Sequence, residues 1–533
     1  MDYGPNLMKT EKIVVVGGGS SGWMSAAFLK KTFPEREIVV IESPDVPTVG
    51  VGESTLGDMA LFRDYLGIDE KDFLQFTDGS YKLSIKFTDF YKKDSGSFHY
   101  PFGRPHLQDE IAPEVWMTLK ALDPSLPTED FVRSFFPQAY LFEQNKYDPN
   151  RYSQFDPFDS RRDVAYHFDA TKFGVWLKDR YCIPRGVRYI QDTVEGCVTG
   201  EEGIEFLLLK KTGKLSADLF VDCTGFRSLL LSHYLKEPFT SYAEMLPNNR
   251  AWAVQVPYVD RQKELEPFTN CTAIANGWCW NIPLWSRLGT GYVYSDKFIS
   301  PEDAAEEYKQ YLMSDKMVIP RTKEQVEQLK FKDVEMRVGI HERTFVKNVV
   351  AIGLSAGFIE PLESNGLFTV QRFLVRLAKT LLRGEVSQWD RDAYNTSTQQ
   401  IYKTFAEFVA MHYALSHRDD SEYWKSVQRK TYSPGMSSLE FSPVIGFLDL
   451  QSRKLSQHSI DYQSGITYIS IGMNYPMSDI VDVRWFSQDR YDRSQIEQVK
   501  RILTRRKARW EDAARTSLSL HDYLEKHIFN TSS

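Results

Sequence analysis

Three glycines near the start of the chain form the clearest chemical pattern in the sequence. Gly17, Gly19 and Gly22 follow an apolar, β-branched run and precede a segment with helical spacing. A strand, a glycine turn and a helix in this order let the backbone approach a pyrophosphate, which the N-terminus of the helix then holds. The pattern predicts a dinucleotide site, although such a turn can also serve only to pack a helix on a sheet.

An acidic residue stands where such a site needs one. A second apolar run ends at Glu42, about twenty residues after the glycines. Its carboxylate can accept hydrogen bonds from ribose hydroxyls, and its charge argues against a 2′-phosphate. The tract 50–54 then adds two further glycines, which form either a plain loop or a strap across the cofactor.

The positioning elements recur much later in the chain. Apolar strands are predicted at Ile204–Leu209, Leu219–Gly225 and Val349–Gly353 and are expected to rejoin the first sheet. Aromatic and β-branched segments at Ala251–Val259 and Trp278–Tyr294 predict an antiparallel layer. We therefore predict an α/β (α+β composite) fold with a discontinuous Rossmann-like nucleotide-binding domain and an appended, mainly helical module. The predicted domains are 1–100 and 161–380 for nucleotide binding, 101–160 for an aromatic insertion, and 381–533 for the helical module.

Composition limits the function classes. The 533 residues carry a formal charge of −7 and 42% hydrophobic residues, which predicts a globular protein and disfavours a nucleic-acid partner. Five scattered cysteines without a C-x-x-C pair predict reduced thiols and no metal site. No secretory leader or membrane-spanning run is recognisable, so we expect a cytoplasmic protein without membrane contact. The sequence does not determine the oligomeric state and is compatible with a homo-oligomer.

Five motifs in one order make the sequence similar to a known family. They are the Gly17–Gly22 turn followed by Trp23, the Gly50–Thr55 tract, Ser80-Tyr81-Lys82, Trp278-Cys279-Trp280-Asn281-Ile282-Pro283, and Phe358 to Gly366. The fourth has the pattern W-x-W-x-I-P. The chain thus resembles the tryptophan-halogenase family of flavin-dependent halogenases, from about residue 12 to about residue 424.

The resemblance implies an enzyme that uses reduced FAD, O₂ and a halide ion to make hypohalous acid, which halogenates an electron-rich aromatic ring. Because chloride is the hardest to oxidise, we expect bromide or iodide to be at least as good. The implied cofactor contacts are Gly17, Gly19, Ser20, Gly22, Trp23, Glu42, Gly50, Val51, Gly52, Glu53, Ser54 and Gly353. A separate NAD(P)H-dependent flavin reductase is the implied partner, since the sequence contains one nucleotide fingerprint only.

The resemblance also assigns the catalytic residues. An arbitrary lysine usually lies at the surface, but Lys82 is implied to face the oxidant, either as an ammonium that polarises hypohalous acid or as an amine that forms a haloamine. Glu363 is implied to act beside it and Ser364 to support it, whereas Glu360 is equally compatible with a surface acid. Asn365 and Gly366 occupy the halide site, where the family commonly has Thr instead of Asn.

Trp278 and Trp280 alternate along a predicted strand and therefore share one face. Without the other motifs they would be ordinary core aromatics. The resemblance implies that they form a barrier that keeps the aromatic substrate away from the flavin.

The substrate side departs from the family. Tyr100 falls where the family usually has His, while Phe102 still fits as a flat contact for an aromatic ring. The tyrosine pair and acids that grip free tryptophan are not recognisable between His417 and Met477. We therefore expect a small aromatic substrate other than free tryptophan, such as a phenol or an indole.

Two other functions remain open from the residues. An aromatic monooxygenase would share the nucleotide domain but insert oxygen without a halide. A non-catalytic FAD-binding protein would bind the cofactor and form no product.

Overall fold

The computed structural model describes residues 8–46, 53–103, 105–106, 116, 119–120, 122–149, 158–159, 163–430, 465, 468–474 and 493–530. Contacts divide the chain into two discontinuous units. Unit 1 comprises Met1–Gly79, Phe168–Ala251 and Asp333–Ala406, and unit 2 comprises Ser80–His167, Trp252–Lys332 and Glu407–Ser533. These bounds differ from those of the predicted domains because strand pairing between distant segments, which the sequence does not display, assigns residues 80–100 to the same unit as 252–332.

The strands are numbered in chain order: β1 Met8–Lys9, β2 Lys12–Val16, β3 Glu37–Glu42, β4 Glu53–Ser54, β5 Ser80–Lys82, β6 Ser84–Thr88, β7 Ser97–Pro101, β8 Ala165–Phe168, β9 Arg188–Gln191, β10 Val194–Gly200, β11 Gly203–Leu209, β12 Gly213–Leu215, β13 Leu219–Asp222, β14 Phe239–Ser241, β15 Arg250–Pro257, β16 Phe268–Ile274, β17 Gly277–Pro283, β18 Arg287–Tyr294, β19 Lys332–Glu335, β20 Gly339–His341, β21 Phe345–Val346, β22 Val349–Ala351, β23 Gly357–Phe358 and β24 Glu385–Val386.

The α-helices are α1 Ser20–Thr32, α2 Asp58–Leu66, α3 Glu70–Thr77, α4 Glu129–Phe135, α5 Ala139–Phe142, α6 Ala170–Trp176, α7 Arg261–Glu264, α8 Pro301–Met313, α9 Lys323–Glu327, α10 Gly366–Leu381, α11 Gln388–Ala414, α12 Glu422–Lys430, α13 Arg493–Arg515 and α14 Leu520–Tyr523. Over the described ranges, these helices include no candidate for a membrane span.

Unit 1 contains a six-stranded sheet in the order β21-β22-β13-β2-β3-β9. All its pairs are parallel except β21 with β22. The apolar run Ile13–Val16 is fully buried, as expected for a central parallel strand. The pairing of β13 with both β2 and β22 brings two of the late segments back to the first sheet, as predicted. The prediction is wrong for Ile204–Leu209, because β11 pairs with its sequence neighbours β10 and β12 in a separate antiparallel sheet.

Unit 2 is organised around a mixed sheet in which β15, β18, β17, β16, β6 and β7 follow one another. Its register decides where each side chain points, because paired residues share a face and successive residues alternate. We call one side the front face; it carries Phe98, Tyr100, Thr269, Trp278 and Trp280. The opposite side, the back face, carries Lys86, His99, Asn270, Asn281 and Thr290.

A buried polar network holds the back face of β17. Asn281 Nδ2 donates to the Tyr311 hydroxyl at 2.8 Å, and its Oδ1 accepts from Thr290 Oγ1 at 2.7 Å. The Tyr308 hydroxyl donates to Thr290 Oγ1 at 3.1 Å. Since Asn281 alternates with the two tryptophans, its bonds fix which face they occupy.

We expect Asn281→Leu to lower the free energy of unfolding by about 1–3 kcal/mol, because Tyr311 and Thr290 each lose a buried partner. Urea denaturation measures the change. Asn276→Leu is the control: this half-buried residue on the same hairpin donates one bond to Glu307, and its loss should cost less than about 1 kcal/mol. Equal losses in the two variants would contradict the importance of the network.

Candidate active site

The glycine turn of unit 1 has positions at which only glycine fits. Gly17 has φ of +117°, and a Cβ atom there would lie 2.2 Å from the carbonyl oxygen of Cys223. A Cβ atom at Gly22 would lie 1.9 Å from the Gly17 oxygen. The turn ends at Gly19, the residue before α1, so the free N–H groups of that helix face the turn. This is a cradle for a phosphate-bearing group.

Glu42, at the end of β3, lies over this turn. A Cβ atom at Gly18 would meet the Glu42 side chain at 2.3 Å. Glu42 Oε2 is buried and has no hydrogen-bond partner among the residues that the structure describes. Burial, followed by the charge of Glu42, raises the pKa of Tyr189 to about 12. A buried acceptor oxygen beside a glycine cradle fits a ribose hydroxyl, so the residues present suit the FAD that the sequence predicts.

Other predicted cofactor residues frame the same turn. Gly353, at φ of +72°, approaches α1 so closely that a Cβ atom would lie 2.4 Å from Ser21 Oγ. Ser20 Oγ donates to the Ala170 carbonyl at 2.9 Å, so its side chain anchors α6. Trp23 is buried, and its ring centroid lies 5.8 Å from that of Tyr189. Trp23 thus packs beneath the cradle.

The predicted strap is described in part. Gly50, Val51 and Gly52 lie outside the described residues. Glu53 and Ser54 form β4. Burial, followed by the nearby Asp169 carboxylate, raises the pKa of Glu53 to about 7, so this acid is mostly protonated in mildly acidic solution.

The segment before α10 gathers the predicted halide and catalytic residues of unit 1. Ser364 has φ of +55°, and its hydroxyl donates to Ser54 Oγ at 3.1 Å. Glu363 is 1% exposed and Asn365 is 2% exposed. Asn365 precedes the first helical residue, Gly366, where a Cβ atom would meet no heavy atom within 4 Å. Open space at the N-terminus of a 16-residue helix favours a small anion.

Glu360 is not the surface acid that the sequence allowed. It is completely buried and accepts a hydrogen bond of 2.7 Å from Asn248 Nδ2. The surface interpretation is therefore wrong, because the turn that precedes α10 folds this acid inward.

Lys82 of unit 2 is completely buried, at the end of β5. Its Nζ atom lies 4.9 Å from the centroid of the Phe102 ring. The Phe102 backbone is held by Leu83 and by Gln138 Nε2, which donates to the Phe102 carbonyl at 2.6 Å. The structure thus joins the predicted lysine to the predicted aromatic contact and excludes a surface role for this amine.

Lys86, four residues further along the chain, points to the back face. It pairs across the strands with His99, and its Nζ atom lies 5.4 Å from the Phe268 ring. Burial and the Lys86 charge hold the pKa of His99 well below its ordinary value. The tryptophans occupy the front face, so Lys86 lies on the opposite side of this sheet from them.

The two tryptophans lie together as predicted. Trp278 is completely buried and Trp280 is 7% exposed, with ring centroids 6.2 Å apart. Gly291 of the neighbouring strand makes room for Trp280, since a Cβ atom there would lie 2.1 Å from the indole. The two indoles therefore form a continuous aromatic surface.

Tyr100 is half-buried on the same face. Its ring lies 6.3 Å from that of Phe408 and 5.8 Å from that of Tyr468. A cavity of about 250 Å³ borders Phe98 and is also lined by Phe90 and Glu129. The front face is thus rich in flat apolar surface. The proximity of Lys82 to Glu363 stays a prediction; the former belongs to unit 2 and the latter to unit 1.

Sequence reasoning did not identify His167 and Thr269. Both are buried, and His167 Nε2 lies 2.8 Å from Thr269 Oγ1. They are separated by 102 residues, so neither has a local pattern that marks it. Asp169, which faces Glu53, was missed as well, although its place just before α6 is typical of a helix cap.

Comparison with known proteins decides the family. The sequence model of the tryptophan halogenases matches residues 12–440. The chain belongs to the tryptophan halogenase family. It is 34% identical over 448 residues to tryptophan 6-halogenase SttH of Streptomyces toxytricini, covering 80% of this chain and 82% of SttH. It is 31% identical over 446 residues to tryptophan 7-halogenase RebH of Lentzea aerocolonigenes, covering 80% and 81%.

Solved halogenase structures share the fold. The apo structure of VirX1 superposes with a TM-score of 0.88 and 33% identity, covering 98% of this chain and all of the other. The crystal structure of SttH gives a TM-score of 0.82 and 29% identity, covering 96% and 99%. The predicted family and α/β fold with a Rossmann-like domain are confirmed. This tryptophan-halogenase family member is therefore an enzyme, a flavin-dependent halogenase of aromatic substrates.

The pKa of Glu53 predicts a pH-dependent stability. Because folding raises this pKa to about 7, the neutral acid favours the folded state, and this contribution is lost as the pH rises from about 4.5 through 7. We expect Glu53→Gln to be about 3 kcal/mol more stable than the unmodified protein above pH 7 and to lose that advantage near pH 4.5.

Urea unfolding at about pH 5, 6 and 8 measures this difference. Glu37→Gln, at the exposed start of β3, is the control and should shift stability little at any of these values. An advantage of Glu53→Gln that does not change with pH would contradict the raised pKa.

Proposed function

We propose that this halogenase oxidises a halide ion with O₂ and reduced FAD, and that Lys82 directs the resulting hypohalous acid to an electron-rich aromatic ring. The overall change consumes reduced FAD, O₂, halide and a proton and yields FAD, hypohalous acid and water. Transfer of the halogen to the ring then replaces a ring hydrogen and releases a second water. Both steps balance without a further reductant or oxidant.

The cofactor is assigned to unit 1. When bound, reduced FAD supplies two of the four electrons that convert O₂ to the oxidation level of water, and the halide supplies the other two. The glycine cradle at Gly17, Gly19 and Gly22 binds the pyrophosphate, and Glu42 accepts from the ribose. Support comes from the buried Oε2 atom of Glu42 and from the close approach of Gly353 to α1. Glu53, Ser54 and the tract 50–52 complete the set as a strap.

The halide is assigned to Asn365 and Gly366. Backbone N–H groups at the start of α10 have no partner within the helix, and the helix dipole favours an anion there. The open space at Gly366 supports an ion-sized ligand. Ser364, held in a left-handed conformation, sets the direction in which the chain enters the helix.

Lys82 is assigned the transfer step. A buried amine has few water molecules to compete for its proton or its lone pair, so its interaction with a small oxidant is strong. As an ammonium, it donates a hydrogen bond to the oxygen of hypohalous acid, and that oxygen leaves as water. As an amine, it forms a haloamine that passes the halogen to the ring. Glu363 is assigned the acceptance of the ring proton.

Trp278 and Trp280 are assigned as a barrier. A surface of two packed indoles lets a molecule as small as hypohalous acid pass at its edge and excludes an aromatic substrate. Tyr100 and Phe102 are assigned to the substrate, which they contact as flat apolar surfaces.

The substrate is proposed to be a small electron-rich arene such as a phenol or an indole rather than free tryptophan. The segment that should grip an amino acid, 433–474, lies largely outside the described residues, so the proposal depends on its sequence. A separate NAD(P)H-dependent flavin reductase is proposed as the source of reduced FAD.

One observation carries the proposal: in a chain of this family, Lys82 is completely buried and its amine meets the face of Phe102. An amine without access to bulk water, placed at an aromatic surface, suits transfer of a halogen to a ring. The hydroxylation of a ring by an aromatic monooxygenase does not require such an amine.

We expect Glu42→Gln to raise the dissociation constant for FAD about tenfold, because a charge-assisted hydrogen bond to the ribose is lost. Titration of FAD followed by quenching of its fluorescence measures the change. Glu37→Gln, at the other end of β3, should leave the constant unaltered. If both variants bind FAD equally well, Glu42 does not contact the ribose.

We expect Lys82→Met, which keeps the side-chain length without the amine, to lower the rate of arene halogenation at least about 100-fold. The assay combines the protein, FAD, a flavin reductase, NADH, O₂ and a halide with a panel of phenols, indoles and free tryptophan. Mass spectrometry identifies the products, and competition between halides should give bromide or iodide product at least equal to chloride product.

Lys86→Met is the matched control, since this lysine points to the back face, and its product yield should remain near that of the unmodified protein. Oxygenated product with full activity in Lys82→Met would favour the monooxygenase. Halogenation of tryptophan alone would refute the proposed substrate class.

A further inference from the structure

Ser80, His167 and Thr269 form a buried polar group near Lys82 and have no part in the proposed mechanism. Ser80, Lys82 and His167 are completely buried, and Thr269 is 3% exposed. His167 Nε2 lies 2.8 Å from Thr269 Oγ1, and His167 Nδ1 lies 3.4 Å from Ser80 Oγ. Ser80 Oγ in turn donates to the Pro283 carbonyl at 2.5 Å. This chain of bonds connects four strands, β5, β8, β16 and β17.

Strand pairing places His167 beside the lysine. Ser80 is opposite His167 and Lys82 is opposite Ala165 in the antiparallel pair of β5 and β8. Ser80 and Lys82 are two residues apart and share a face, so His167 is the diagonal neighbour of Lys82, at roughly 7–8 Å between backbone positions.

The hydrogen-bond directions determine the position of the imidazole proton. The Pro283 carbonyl can only accept, so the Ser80 hydroxyl hydrogen is committed to it. Ser80 Oγ then offers a lone pair, and His167 Nδ1 must carry the hydrogen. In the neutral ring Nε2 is consequently the acceptor, and the Thr269 hydroxyl donates to it.

The charge of the surroundings agrees with a neutral ring. Burial and the Lys82 charge hold the pKa of His167 well below its ordinary value. A protonated ring would also place a second hydrogen toward Thr269 and a second positive charge beside the lysine. His167 is therefore a fixed, uncharged connector.

The connector links the lysine to the tryptophans. Thr269 belongs to the front face of β16, and Pro283 is the last residue of β17, which carries Trp278 and Trp280. Movement of β5 and β8 together relative to these strands would break the bond between Thr269 and Nε2 and the bond from Ser80 to the Pro283 carbonyl.

We propose that His167, as its neutral Nδ1–H tautomer, is a positioning residue for halogen transfer: it holds Lys82 in fixed register with the tryptophan strand, so that the oxidant meets the amine before it escapes. This inference rests on the proposed function of Lys82. The inference goes beyond that function, because it makes the efficient capture of the oxidant depend on His167, a residue that touches neither substrate nor cofactor.

The tautomer can be tested without turnover. The protein is labelled with nitrogen-15 in its ten histidines, and His167 is assigned by comparison with His167→Gln. At about pH 7, the expected signals are those of a neutral ring with the hydrogen on Nδ1. A ring protonated on both nitrogens, or one with its hydrogen on Nε2, would overturn the proposal.

The capture step is tested by the ratio of halogenated arene to freely diffusing oxidant, the latter caught by a soluble scavenger. His167→Phe removes both bonds but can disturb folding, so Thr269→Val is the decisive variant. It removes one hydroxyl at nearly constant volume, and we expect the ratio to fall about tenfold, as for one lost buried hydrogen bond. Thr269→Ser keeps the hydroxyl and should restore the ratio.

A merely structural role would lower both products together and leave the ratio constant, which would overturn the proposal. Failure of the proposed function can be distinguished from failure of this inference. If the proposed function is wrong, Lys82→Met still halogenates arenes, whatever the tautomer of His167. A reduced ratio in Thr269→Val, together with the Nδ1–H tautomer, supports the assignment.

Discussion

The two-residue alternation of the strands in unit 2 is the constraint from which the arrangement of its side chains follows. One register fixes Trp278 and Trp280 on the front face and commits Asn281 to the back face. A slip by a single residue would exchange these sets and place an amide among aromatic rings. The buried bonds of Asn281 and the packing of the indoles therefore stabilise the same register from opposite sides.

Burial determines the chemistry of the ionisable side chains in both units. Lys82 and Glu363 are almost entirely removed from water, and the pKa shifts of Glu53, His99 and His167 have desolvation as their first cause. Ionisable groups in such surroundings are costly to the fold and are retained where they serve chemistry. Desolvation therefore favours the neutral forms of Glu53, His99 and His167.

The sequence was informative where function depends on local geometry. The glycines 17, 19 and 22 and the acid at 42 are short-range features, and their relation in the structure is the one predicted. Long-range pairing was not accessible: the side of the sheet on which Lys86 lies relative to the tryptophans depends on the register of β6 with β16, about 180 residues away. The partners of His167 come from β5 and β16, and Glu360 is folded inward by a turn whose direction no local pattern displays.

The fit between Trp280 and Gly291 has a consequence for how this protein can vary. The indole occupies volume that its neighbour gives up, so the two positions share one space. A larger residue at 291 would displace this indole and would also meet the carbonyl oxygen of Trp252, which lies 2.5 Å from the position of a Cβ atom there. Conversely, truncation of Trp280 alone would leave a dry void lined by Gly291, in which a small hydrocarbon could lodge. Position 280 can therefore vary at the cost of a void, whereas position 291 requires glycine whatever residue occupies position 280.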